Sequence, residues 1–462
     1  MKSMKARIRL FLLCFLLVFA GRAAAEPMQL NITGEERFRP EMRNNQDFKD
    51  SADDQKAFIG QRIRVNFDVK TESGVKAFIA VQDSRNWGDV ANNETAGNSS
   101  TSYGGTTVCT QAQVTAGTAC TTTAGSTGQY ATKGSDRQSL DLSQAWFMLE
   151  NIGGVPIDFK IGRQQLVYGD QRLIGNSNWT DNGRSFDAYK ASARFDIVQL
   201  DVFLAKLKET KGSPSDSGSD DDLYGLYSIW PFGDAHKLDV YYLVWKNDAA
   251  RSVNTYGARF AGKAAGLDYT AEAVMQSGKW SATVDQSAMA FAVTGGYTFA
   301  DFLGGLRIGA EYDQGSGDDK ADATVHKTYA FGFGTNHAPY GYMDYFSWSN
   351  MSDIALKVKA KPGPVTTEIA YHIFALNQAR DGWYSAVGNG ATTTLGNTSY
   401  TAAQASSTDA GSEIDLTAMY QYNTAVKITA GYSMFTPGTA AKEHGGGTDG
   451  STWGYGMFEF AF

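Results

Sequence analysis

Two short stretches hold the residues of this 462-residue chain best placed to do chemistry. Residues 162–175 read GRQQLVYGDQRLIG and residues 183–187 read GRSFD. Three arginines (Arg163, Arg172, Arg184), two aspartates (Asp170, Asp187) and four glycines (Gly162, Gly169, Gly175, Gly183) thus fall within 26 residues. A guanidinium group is costly to bury, and its planar fork matches a carboxylate through two parallel hydrogen bonds. The cluster therefore points to recognition of an anion or, alternatively, to a loop braced by Arg–Asp pairs. Neither role breaks a bond. No nucleophile elbow, HExxH helix or phosphate-binding loop accompanies it. The carboxylates cannot be assigned as an acid/base pair, because sequence does not give their separation. No metal site or cofactor is expected: Cys109 and Cys120 have no histidine nearby, and no CxxCH haem-attachment motif occurs.

The first 25 residues set the compartment. Lys2, Lys5, Arg7 and Arg9 precede the apolar run Leu10–Ala20, and Ala23-Ala24-Ala25 supplies small residues for cleavage before Glu26. This is the pattern of a secretory signal, and the run is too short to cross a bilayer as a helix. Residues 26–462 form the mature chain. Cleavage removes five of the 41 Lys+Arg and leaves 36 against 49 Asp+Glu, a net charge of −13. So acidic a chain excludes nucleic acid as an expected partner. Cys109 and Cys120 lie in an exported Ser/Thr/Gly-rich tract and are expected to form a local disulfide.

What must position the arginines is a repeating strand. In IGQRIRVNFDVK (59–70), Ile63, Val65, Phe67 and Val69 point one way and Arg62, Arg64, Asn66, Asp68 and Lys70 the other. The pattern recurs along the chain in segments near 28–39, 57–71, 75–85, 138–151, 156–166, 184–196, 198–209, 221–232 and 237–247. It continues near 252–262, 266–278, 286–299, 304–313, 351–361, 364–378, 412–423, 425–436 and 451–462. Tight turns such as ESG (72–74), IGGV (152–155), AAG (264–266), KPGP (361–364) and NTA (423–425) alternate with long polar loops at 86–137, 210–220, 314–345, 379–411 and 437–450. About 18 strands with loop lengths sorted in this way imply an all-β transmembrane antiparallel barrel in the outer membrane of a Gram-negative bacterium, with short periplasmic turns and long extracellular loops. The chain ends TWGYGMFEFAF, and Phe458, Phe460 and Phe462 share one face. A terminal aromatic of this kind resembles the signal read by the barrel-assembly machinery. In a closed barrel these rings face lipid rather than forming a sticky edge.

Alternation assigns to the lumen Glu35, Arg37, Arg39, Arg62, Arg64, Lys70, Lys76, Lys160, Arg184, Lys190, Arg194, Arg307, Glu311, Lys357, Lys359, Glu368, His372, Asp415 and Lys427. Basic residues outnumber acids in this set, and a ring of Arg/Lys selects anions. The alternative is that these charges pair with one another and brace the wall.

The block GRQQLVYGDQRLIG…GRSFD resembles the alginate-export porin family, as do HAPYGYMDYF (337–346) and NMSDIALKVKAKP (350–362). That resemblance implies a channel for an anionic uronate poly- or oligosaccharide, with Arg163, Asp170, Arg172, Arg184 and Asp187 in the lumen or at a constriction. Periplasmic export partners would feed such a channel. Strict parity from Ile157, Phe159 and Ile161 instead puts Arg163 on the lipid face; a bulge at Gly162, or a position above the membrane, would reconcile the two. Two other readings compete: a general or other-substrate porin of the same fold, and a secreted β-rich polysaccharide-processing enzyme or adhesin.

Overall fold

The computed structural model describes residues 27–50, 55–87, 106–108, 121–123, 140–208, 220–247, 250–319, 321–330, 332–385 and 405–462. The expected signal segment and the expected Cys109–Cys120 disulfide lie outside these residues. Eighteen antiparallel strands close into one barrel. They are β1 (Met28–Asn44), β2 (Lys56–Thr71), β3 (Val75–Asn86), β4 (Asp141–Leu149), β5 (Ile157–Gln164) and β6 (Phe186–Phe195). The wall continues through β7 (Val198–Lys208), β8 (Asp221–Phe232), β9 (His236–Asn247), β10 (Ser252–Ala264), β11 (Leu267–Lys279) and β12 (Asp285–Phe299). It closes through β13 (Leu306–Gly315), β14 (Met351–Ala360), β15 (Val365–Leu376), β16 (Asp409–Gln421), β17 (Val426–Pro437) and β18 (Ser451–Ala461). A two-residue segment, Val325–His326, adds in parallel beside the start of β12.

Each strand read from alternation has its counterpart. The largest difference is β1, which runs on to Asn44 instead of ending near residue 39. Pro40 has no N–H to donate, and the β1–β18 ladder skips Arg39 and Pro40 before resuming at Glu41–Tyr455. The strand still continues, because β2 pairs with it throughout that stretch. Closure is made by Phe38 opposite Phe458 and Glu35 opposite Ala461.

Both described ends of the chain and the short turns lie at one rim; the described parts of the long connections after β3, β5, β7, β13, β15 and β17 lie at the other. By loop length the first rim is periplasmic. The wall is inside-out relative to a water-soluble protein. On β14, Ile354 and Leu356 are half exposed while Asp353 and Ala355 are buried; on β15, Ile369, Tyr371 and Ile373 are exposed while His372 and Phe374 are buried. Apolar outside and polar inside is stable only against hydrocarbon. Among the described residues no helix is long and apolar enough to cross a membrane, and the crossing is made by strands.

The lumen is not open along its whole length. Loops 165–185 and 327–350 fold inward, and Leu166, Ile174, Tyr329, Tyr340, Phe346 and Trp348 are fully buried between them and the wall.

Candidate pore constriction

Loops usually stay at the surface, because a buried loop carries backbone polar groups with nothing to satisfy them. Loop 165–185 crosses the lumen, so its carbonyls need donors. The inward faces of β1, β2 and β3 supply them. Arg37 donates to the Asn178 carbonyl (3.0 Å), and Arg62 donates to the carbonyls of Asn178 (3.1 Å) and Thr180 (3.2 Å). Arg39 donates to the Trp179 carbonyl. Ser84 reaches Asp181 O (3.0 Å), and Arg64 and Gln82 reach Asn182 O (3.3 and 3.2 Å). Five consecutive carbonyls, 178–182, are thereby capped by side chains of the wall. Arginine suits this task because its fork carries five donors in fixed geometry. Charge is partly balanced by Asp181 on Arg37, Glu41 on Arg39 and Arg43, and Glu35 on Arg62 and Arg64.

The same loop is clamped to the far wall. Arg172 is buried between Glu311 and Asp313 of β13, 3.1 Å from the latter, and Glu311 also accepts from Lys357 (2.7 Å). Asp170 takes a two-pronged pair from Arg259 of β10, which also reaches Asp239 (3.2 Å). Arg184 donates to the Gly334 carbonyl (2.7 Å), and burial pushes its guanidinium down to about 10. Loops 165–185 and 327–350 also share backbone bonds: Gly175 N–H to Phe333 O (2.9 Å) and Thr335 N–H to Gln171 O (2.7 Å). The second loop meets its wall with both kinds of group: the Thr328 and Ala330 carbonyls accept from Gln286 and Gln276 (3.0 and 2.9 Å), while two of its amides donate to carboxylates. The Met343 N–H donates to Glu413 (2.9 Å) and the Tyr342 N–H to Asp415 (3.4 Å), both on β16. Arginines thus face the carbonyls of 178–182, and carboxylates of β16 face the amides of Tyr342 and Met343.

Between the two loops lies an aromatic patch. Trp179 stacks on His337 with ring centroids 4.1 Å apart, and Trp453 and Tyr455 meet Trp179 edge-on. The Arg39 guanidinium sits 4.3 Å from the centre of the Trp179 ring.

The sequence-derived site residues separate into three groups. Arg37, Arg39, Arg62, Arg64, Asp170, Arg172 and Arg184 come together around loop 165–185. Arg163 and Asp187 do not. The ladders on both sides of β5 run through Gly162 without a register shift, so parity holds and Arg163 points outward. Arg163 forms a two-pronged pair with Asp187 across the ladder (2.9 and 3.1 Å), both partners exposed near the extracellular rim. Their expected place in the lumen is corrected accordingly. Gly162 is needed for another reason: its φ is 122°, and the Ala145 carbonyl leaves no room for a Cβ. The third group lies lower in the lumen and is paired strand to strand. Lys190 meets Asp201 (2.9 Å), Arg194 meets Asp158, Arg307 meets Asp268 (2.6 Å), Lys359 meets Glu368 (3.3 Å) and Lys427 meets Glu459 (2.6 Å).

The expectation that bases outnumber acids throughout the lumen also needs correction. Among the described residues, buried carboxylates outnumber buried guanidinium groups. The bases gather on β1 and β2, whereas Asp239, Glu272, Asp313, Asp353, Glu413 and Asp415 line the far wall. Sequence reasoning passed over most of these acids, although period-2 alternation in β9, β11, β14 and β16 marks them as inward. It also passed over Asn178, Trp179 and Asp181, which belong to an irregular loop and carry no periodic signal.

The model of a family described as alginate export matches residues 28–454. The chain belongs to the alginate-export family. No curated protein sequence matches it. Among solved structures, Pseudomonas aeruginosa OccD3 (OpdP) superposes with a TM-score of 0.57 at 12% identity, over 96% of this chain and 93% of that one. The outer membrane protein OprD from the same organism gives 0.56 at 10% identity, over 94% of each chain. OccK2 (OpdF), solved in complex with glucuronate, gives 0.54 at 11% identity, over 94% of this chain and 98% of that one. At such identities the likeness shows the fold alone. Family and fold together make this alginate-export protein an outer-membrane channel for solutes and not an enzyme.

Proposed function

We propose that the channel passes anionic sugar acids, most naturally uronate oligo- or polysaccharides, along the arginine side of the constriction. One observation carries the reading. Among the described residues, five guanidinium groups on β1 and β2 (Arg37, Arg39, Arg43, Arg62, Arg64) have three carboxylates at salt-bridge distance (Glu35, Glu41, Asp181), and Arg184 nearby has none. The surplus positive charge sits in a confined space where water screens it poorly. Support also comes from the family's description and from the glucuronate bound to a protein of similar fold.

Swelling of proteoliposomes separates this from the general-porin reading, which the acid-rich far wall favours. Glucuronate should enter several-fold faster than glucose of similar size, with the ratio shrinking at high salt. Equal rates at low salt would refute the anionic preference.

A further inference from the structure

On the outer wall, at the extracellular ends of adjacent strands, the ladder places residues of alternating charge side by side. Arg163 (β5) stands opposite Asp187 (β6), Asp187 opposite Lys206 (β7), Lys206 opposite Asp222 (β8), and Asp222 opposite Lys246 (β9). All point outward, since their strand neighbours Phe186, Ala188, Ala205, Leu223 and Trp245 are buried inside. Lys206 pairs with Asp222 at 3.0 Å. Among the described residues, Lys246 and the exposed Lys208 have no carboxylate at salt-bridge distance.

Two residues nearer the membrane centre on each strand, this row gives way to an apolar groove of about 490 Å³ lined by Tyr189, Val202, Leu204, Tyr224, Tyr242 and Val244. Gly225 and Phe203 also line it, with the Phe203 ring itself on the lumen side. Tyr189 and Val202 are about half exposed. An apolar furrow in a lipid-facing wall, topped at headgroup height by Lys206 in its pair with Asp222 and by Lys208 and Lys246, which have no carboxylate at salt-bridge distance among the described residues, matches one kind of molecule: a lipid with acyl chains below and phosphate above.

We propose that the outer wall over β5–β9 binds a phosphorylated, multiply acylated glycolipid of the outer leaflet. Its acyl chains fill the groove and its phosphates lie on Lys206, Lys208 and Lys246. The ladder stands at the long-loop rim, which faces the outer leaflet, and this excludes an inner-leaflet phospholipid as the natural occupant. Asp222 holds Lys206 upright, and Asp187 and Asp222 can share divalent cations with the bound phosphates. The site rests on the barrel alone and is independent of what the channel carries.

The test is native mass spectrometry of the full barrel in detergent with three added lipids: bis-phosphorylated lipid A, the same lipid A without phosphates, and phosphatidylglycerol. Wild type should retain the phosphorylated lipid A about tenfold better than the other two, as two or three solvent-exposed ion pairs would give. Lys206→Gln, Lys208→Gln and Lys246→Gln together should abolish that preference while heat-modifiable migration and conductance stay unchanged. Leu226→Trp, which fills the groove, should lower retention of both lipid A forms alike. Equal retention with and without phosphates, phosphatidylglycerol matching lipid A, or a triple variant that binds like wild type would each overturn the proposal.

Discussion

Arg172→Met isolates the clamp between the inward loop and β13. The substitution keeps an unbranched apolar stem of similar length and removes only the guanidinium. In the folded channel that group is buried against Glu311 and Asp313, with side-chain exposures of 4%, 8% and 0%. Removing one partner from a buried ion pair costs about 3–5 kcal/mol, because the other is left charged and dry. Lys357 still reaches Glu311 at 2.7 Å, so the loss falls mainly on Asp313 and the lower end of that range applies. The strand ladder does not depend on Arg172, so the penalty should act on the loop's inward pose rather than on the barrel. A shift of about 3 kcal/mol changes the ratio of inward to released loop by roughly a hundredfold. Single-channel recording in planar bilayers reads this directly as larger, noisier openings with long dwell times. Adding Asp313→Asn should restore much of the closed pose, since it removes the orphaned charge; the coupling between the two changes should exceed about 1 kcal/mol. An assembled Arg172→Met barrel with the conductance and noise of wild type would refute the clamp.

Arg163→Ala should behave differently. Its pair with Asp187 is exposed on the outer wall, so the change should cost no more than about 1 kcal/mol and leave the reversal potential in a salt gradient unaltered; a shifted reversal potential would return Arg163 to the pore. Leu356→Arg places a charge at a half-exposed, lipid-facing position in the middle of β14 and should lower barrel stability by about 2–4 kcal/mol in urea titrations in lipid, whereas a soluble protein would tolerate it. His444, in the loop 438–450, accepts burial as a neutral ring: burial lowers its pKa from the ordinary 6.5, and one ring nitrogen lies 3.0 Å from the Ala379 carbonyl. A depressed folded pKa means that its contribution is complete above pH 6.5 and is lost as pH falls from there through the lowered value. Trypsin cleavage after Lys442 should therefore accelerate as pH falls below 6.5, beyond the enzyme's own pH profile, and His444→Gln should erase that step.

How much of this was legible beforehand follows from periodicity. Side chains of a strand alternate between faces whatever the strand's neighbours, so residues such as Ile63 and Arg62 announced their opposite sides, and the loop lengths announced which rim is which. The eighteen strands, the closure near Phe458 and the inward position of Arg37, Arg39, Arg62 and Arg64 needed nothing more. Parity even placed Arg163 correctly against the pull of the family resemblance, because no bulge interrupts β5. Partners were another matter. A ladder register fixes which residues face each other across strands, but it says nothing about a loop that returns into the lumen. That Arg62 serves the carbonyls of Asn178 and Thr180, 116 and 118 residues away, or that Arg172 meets Glu311 at a separation of 139, is decided only when the barrel closes and loop 165–185 crosses it. The same closure turns an apparent surplus of lumen bases into a divided lumen, with arginines on β1–β2 and carboxylates opposite. The sequence determined which side chains look inward; the tertiary structure determined which backbone groups they must satisfy, because a buried loop's hydrogen bonds have to be met by whatever wall it folds against.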